Sequence, residues 1–134
     1  MKALKLTLIT VIFGTVAAFA QPKHTEPAVK SVAASPVSWK SETIEIGEIP
    51  QGTPKAVDFE FKNTGKTTVI ITNVKASCGC TATDYTKTPV KPGETAKVTA
   101  TYNAANKGAF TKTVTVTTNA EETPKVLTFK GSVI

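Results

Sequence analysis

The feature that most restricts this chain is a period of two. "AVDFEF" (Ala56 to Phe61) sets Val57, Phe59 and Phe61 on one side of an extended backbone and Asp58 and Glu60 on the other. That alternation marks a strand with one buried face. It recurs in Thr43-Ile44-Glu45-Ile46, in Ala96 to Tyr102, in Phe110 to Thr118 through Val114 and Val116, and in Val126 to Val133. Val69 to Val74 reads as a more continuously buried strand, and Thr81 to Tyr85 as a short one. Turn residues separate the runs: "NTG" (Asn63 to Gly65), "KPGE" (Lys91 to Glu94), "NAANKG" (Asn103 to Gly108) and Thr123-Pro124. No stretch of ten residues after Lys40 carries a helical apolar stripe, and threonine, valine and isoleucine abound. About seven short strands in so little chain predict an all-β fold, an immunoglobulin-like antiparallel β-sandwich. The Cys…Trp…Cys spacing of antibody domains is absent, because Trp39 precedes the first of these strands.

The chain before that pattern divides in two. Residues 1–20 read as a signal peptide: Lys2 and Lys5 open it, an apolar run follows from Leu6 to Phe19, and Ala18-Phe19-Ala20 has the small-x-small form of a cleavage site. The run is about fourteen residues, short of the roughly twenty a bilayer span needs. No later stretch is apolar enough to span, so the mature protein is expected to lack a transmembrane segment. Residues 21–40 carry Pro22, Pro27 and Pro36 among Ala, Ser, Val and Lys, with no periodicity, and read as a flexible linker. The domain is then residues 41–134, enough for one small core.

Charge narrows the partners. All sixteen basic residues are lysines and there are ten acids, a net charge of +6. Arginine, the usual residue for bidentate phosphate and base-edge recognition, is missing, which speaks against a nucleic-acid partner. Lysines spread along strands suit a solvated surface that discourages edge pairing.

The chemistry inventory is short. The one histidine, His24, lies in the linker, so no Ser-His-Asp set can form in the domain. Glu42, Glu45, Glu48, Asp58 and Glu60 fall at outward positions and read as solvated strand residues. What remains is "ASCGCTA" (Ala76 to Ala82), which holds both cysteines, Cys78 and Cys80. In an extended strand their Cα atoms would lie about 6.6 Å apart, near the limit for a disulfide. Closure needs a bend, and Gly79 could supply it through a positive φ, with Ser77 and Thr81 flanking. A bridge across so small a loop constrains the unfolded chain little, so it is a weak staple. It could also be a thiol–disulfide redox pair, which Lys75 nearby could favour by stabilising a thiolate, although the Cys-x-x-Cys at a helix start is not present. Two soft thiolates could also hold Cu(I), with Asp84 and Tyr85 nearby but poorly suited to a soft ion. The fourth reading is packing at a turn. No cofactor is called for by any other residue.

"VKASCGCTATDY" (Val74 to Tyr85), "PVKPGE" (Pro89 to Glu94) and "KGAFTKTVTVTTN" (Lys107 to Asn119) together resemble the domain-of-unknown-function family 1573. "IEIGEIPQG" (Ile44 to Gly52) and "FEFKNTG" (Phe59 to Gly65) match its opening strands and turn. The resemblance implies an exported bacterial domain of immunoglobulin-like fold, akin to Hydin-type and major-sperm-protein-like modules, and it implies no activity. The combined expectation is a non-enzymatic interaction module of the cell envelope, periplasmic or secreted, that binds another envelope protein or surface component. The alternative is redox or copper chemistry at Cys78 and Cys80.

Overall fold

The computed structural model describes residues 35–134. The signal-peptide reading, His24 and the linker as far as residue 34 lie outside the described residues. Eight strands follow in order: β1 (Val37–Trp39), β2 (Thr43–Ile49), β3 (Lys55–Asn63), β4 (Ile71–Ala76), β5 (Thr81–Tyr85), β6 (Thr95–Tyr102), β7 (Gly108–Thr118) and β8 (Lys125–Val133). They form two four-stranded sheets, ordered β1-β3-β6-β5 and β2-β8-β7-β4. This is the expected all-β, immunoglobulin-like sandwich, with two differences.

First, the count is eight, because Val37–Trp39 forms a strand inside the segment read as linker. Three residues are too few to show a period, yet Val37 is buried and Trp39 pairs with Phe61 at a ring-centroid distance of 4.9 Å. Second, one pairing is parallel. β2 runs alongside β8 from Thr43↔Thr128 to Ile49↔Val133, with a register shift between Glu45 and Gly47. All other named pairs are antiparallel. The chain therefore leaves one sheet after Trp39 and joins the edge of the other at Thr43.

The inner faces are those the alternation assigns. Val57, Phe59 and Phe61 of β3 meet Val98 and Ala100 of β6, Val114 and Val116 of β7, and Leu127 and Phe129 of β8, all buried. Tyr102 and Phe110 stack at 4.3 Å across the two sheets and pack edge-on to Phe129. Burying each large apolar side chain contributes on the order of 2 kcal/mol, which is why this face is set so firmly. Val69 is not part of β4: it forms an isolated bridge with Val90, and β4 begins at Ile71.

"NTG" is more than a turn. Asn63 is fully buried, and its Nδ2 donates to Thr67 O and Val90 O, both at 2.8 Å, while Oδ1 accepts from Gly65 N at 3.0 Å. Its backbone N donates to Glu94 O and its carbonyl accepts from Gly93 N. One amide thus fastens the end of β3 to both neighbouring loops, and a buried polar group is tolerable only when satisfied in this way.

Strand directions sort the connections onto two ends of the sandwich. Pro36, the β3–β4 and β5–β6 loops and the β7–β8 loop lie at one, here the entry end. The β2–β3 turn, the β4–β5 turn, the β6–β7 loop and Ile134 lie at the other.

Candidate functional site

The β4–β5 turn is where the chain crosses from the edge of one sheet to the edge of the other. β4 is held to its end by Ser77, whose backbone N donates to Thr113 O at 2.9 Å and whose Oγ accepts from Thr113 N at 3.1 Å. Cys78 to Thr81 then forms a β-turn, with Thr81 N directed at Cys78 O at 3.4 Å. Cys78 and Cys80 are joined by a disulfide, with Cα atoms 5.3 Å apart. That separation is within the usual range and shorter than an extended strand allows. Thr81 is buried, with Oγ1 3.8 Å from Cys78 Sγ and 4.0 Å from Cys80 Sγ. Asn103 N donates to Cys80 O at 3.0 Å, tying the turn to the end of β6.

The five residues singled out in the sequence, Ser77, Cys78, Gly79, Cys80 and Thr81, lie in this one turn, here the clasp. Two expected details change. The bend does not use a left-handed glycine: Gly79 is absent from the positive-φ positions, and a Cβ built on it meets nothing within 4 Å. Shortening an i,i+2 step by about an ångström needs only an ordinary turn, which most residues can adopt. The nearby cation also differs. Lys75 is exposed and pairs in register with Thr115, on the outer face of its sheet. The β4–β7 pairing ends at Ala76↔Val114, with Ser77 bonded to Thr113, so Lys112 is the next residue of β7 toward the turn that holds Cys78. Lys112 stands between the buried Phe110 and Val114 on their side of β7, and is half-buried. Its signal was legible in "FTKTVTV", where a lysine occupies an inward position.

The clasp is one part of a hydrogen-bonded end. Gly52 N donates to Ala104 O at 2.9 Å, Gln51 N to Ile134 O at 3.0 Å, and Gln51 Nε2 to Ala105 O at 3.0 Å. Ala104 is fully buried with φ at 52°, a conformation that costs a non-glycine residue on the order of 1 kcal/mol and is held by its surroundings.

Four of the five acids read as solvated are tied to lysines, Glu48 being the exception among the described residues. Glu45 bonds Lys130 at 2.8 Å, Glu42 bonds Lys125 at 2.7 Å, and Glu60 bonds Lys40 and Asp58 bonds Lys97, each at 3.3 Å. Lys130 holds the Glu45 carboxyl below the ordinary carboxylate value, through its hydrogen bond and then its charge. Asp58 is lowered mainly by the Thr99 hydroxyl, which donates to it at 2.6 Å; slight burial opposes this, and Lys97 adds to it. Asp84 sits exposed on β5 beside Lys87. Among the described residues no group of three or more His, Cys, Asp or Glu side chains is placed to hold a metal. Nor is any helix among them long and apolar enough to cross a membrane.

Two facing sheets of this order, with the first strand split between them, define an immunoglobulin-like sandwich domain. The chain belongs to the family described as "Protein of unknown function (DUF1573)", whose model matches residues 37–133. No curated protein matches the sequence. Among solved structures, a protein of unknown function from Porphyromonas gingivalis W83 aligns with a TM-score of 0.62 at 13% identity, over 79% of this chain and 51% of that one. The chain thus spans about half the length of that relative. The ASH/PapD-like domain 7 of human CEP192 aligns with a TM-score of 0.63 at 13% identity, over 90% of this chain and 96% of that one. The Vibrio cholerae VesB protease aligns with a TM-score of 0.60 at 15% identity, over 73% of this chain and 32% of that one. At these identities the likeness is one of fold.

Proposed function

We propose that this protein is an exported, non-enzymatic interaction module of the bacterial cell envelope, periplasmic or secreted, that docks another envelope protein or surface component through its clasp end. The observation that carries the reading is the rigid cross-tied end itself. Three connections and the residue after β8 are bonded to one another there, through Cys80, Asn103, Ala104, Gly52, Gln51 and Ile134. Such an end holds its exposed residues, among them Thr53, Gly79, Asn106 and Lys107, in fixed positions, so little ordering entropy is lost on binding. The first described strand starts at the opposite end of the sandwich, at Val37 beside Asn63. The ASH/PapD-like match shares the fold, and fold alone does not assign a role.

A photo-crosslinking amino acid at Asn106, compared with one at Lys91 on the entry end, tests this in intact cells that make the protein. A reproducible adduct from Asn106 and none from Lys91 is expected. Adducts from Lys91 alone, or from neither position, would defeat the reading. Recovery of the protein in the cytoplasmic fraction with residues 1–20 still attached would defeat the export part of it.

A further inference from the structure

We propose that the Cys78–Cys80 clasp is a thiol–disulfide exchange site for a dithiol partner, with Cys78 the reacting sulfur and Lys112 the cation that stabilises its thiolate. This does not rest on the docking reading, and each can fail alone.

Three observations converge. The bridge closes a loop only three residues long, so it gains less from restricting the unfolded chain than any longer bridge would. As a staple it has little to do, and the register of β4 and β5 is already fixed by Ser77, Thr81 and Asn103 without it. The two sulfurs are also unlike. Cys80 packs against the hydrophobic core, whereas Cys78 does not, and Gly79 beside it leaves open space. Both cysteines are half-buried, but the core packing of Cys80 makes Cys78 the sulfur assigned to meet an incoming thiolate. Finally, Lys112 is a cation where packing asks for a hydrophobe. Its row holds Phe110, Val114 and Val116, it follows the Ser77–Thr113 contact on the side of the cysteine turn, and it enters none of the ion pairs among the described residues. A lysine at this end of β7 would favour a Cys78 thiolate through its charge, and the Thr81 hydroxyl, 3.8 Å from Cys78 Sγ, can donate to it as well.

The exchange balances without further reagents. A thiolate of the partner attacks Cys78 Sγ; a bond forms between them, the Cys78–Cys80 bond breaks, and Cys80 leaves with the electron pair and takes a proton from water. The partner's second thiolate then attacks its own bridged sulfur, closing the partner's disulfide and releasing Cys78 as a thiolate beside Lys112. The partner is oxidised by two electrons and the clasp is reduced by two. In reverse, the Cys78 thiolate attacks a partner disulfide, and Cys80 resolves the mixed disulfide.

Single-cysteine variants separate the two sulfurs. In Cys80→Ser the remaining Cys78 should react with 5,5′-dithiobis(2-nitrobenzoate) at pH 7 at least tenfold faster than Cys80 does in Cys78→Ser, with circular dichroism checking that both are folded. Adding Lys112→Gln to Cys80→Ser should slow Cys78 at least fivefold at pH 7 and move the midpoint of its alkylation rate upward, toward the ordinary thiol value of about 8.5. Lys112→Arg should restore the rate, and Lys75→Gln should leave it unchanged. Equal rates for the two cysteines, or a profile indifferent to Lys112, would overturn the assignment. So would a wild-type clasp that stays oxidised in excess dithiothreitol.

Discussion

Replacing Asn63 with alanine tests the anchor that the fold places behind an ordinary-looking turn. The substitution removes three side-chain hydrogen bonds, to Thr67 O, Val90 O and Gly65 N. Val90 O keeps its bond from Val69 N at 2.9 Å, so the largest penalty, a fully orphaned buried acceptor, is avoided there. Thr67 O and Gly65 N are only part-buried and regain some water. At about 1 kcal/mol net for each lost bond, the expected loss is about 3 kcal/mol. For a domain of this size that corresponds to a fall in Tm of about 12 to 24 °C. Urea unfolding followed by circular dichroism measures it, with an unchanged slope expected, since no new surface is exposed. Asn63→Asp should lose more at neutral pH, because a carboxylate would face two carbonyl oxygens. A loss below about 1 kcal/mol for Asn63→Ala would show that the loops hold without the amide and would refute the anchoring role.

Other substitutions probe single contacts. Gly131→Ala puts a Cβ 2.6 Å from Gly47 O and 3.0 Å from Phe110 Cζ, so β2 must shift; a loss of about 2 kcal/mol in urea unfolding is expected. Thr118→Val should stabilise by up to about 1 kcal/mol, because the buried Thr118 Oγ1 has no hydrogen-bond partner, and a loss of similar size would reveal one. Asp58 is held below its ordinary value of 3.8, so its contribution is full above that pH and is lost as pH falls through the lowered value. Its side chain is 46% exposed, which limits the effect to a few tenths of a kcal/mol; Asp58→Asn should flatten the acid limb of stability against pH by that amount. Gly79→Ala should leave disulfide occupancy unchanged by intact mass, and a marked fall would mean that the turn needs glycine after all.

Much of this architecture was readable in the sequence, and the failures have physical causes. Alternation exposed the inner face of β3 because Phe59 and Phe61 dominate its burial, and the same rule located β6, β7 and β8. It could not reveal β1, whose three residues hold less than two periods. Nor could it show that β2 lies parallel to β8, since a strand's pattern is the same whichever way its partner runs. Val69 looked like strand because it is buried, but it gains that burial from a bridge to Val90. At the clasp, residue types were legible while the cation was not. Lys75 is nearest in sequence, but strand parity turns it outward, and the proposed Lys112 belongs to a strand more than thirty residues later.

The parallel pairing has a mechanical consequence. β2 is reached from the entry end and β8 leaves at the clasp end, so tension applied through Ser35 and Ile134 draws these two strands past each other along their length. The hydrogen bonds from Thr43↔Thr128 to Ile49↔Val133 then share the load together, whereas a hairpin pulled from its open end gives way one bond at a time. A sandwich wired in this way would resist stretching along its long axis far better than its modest size suggests.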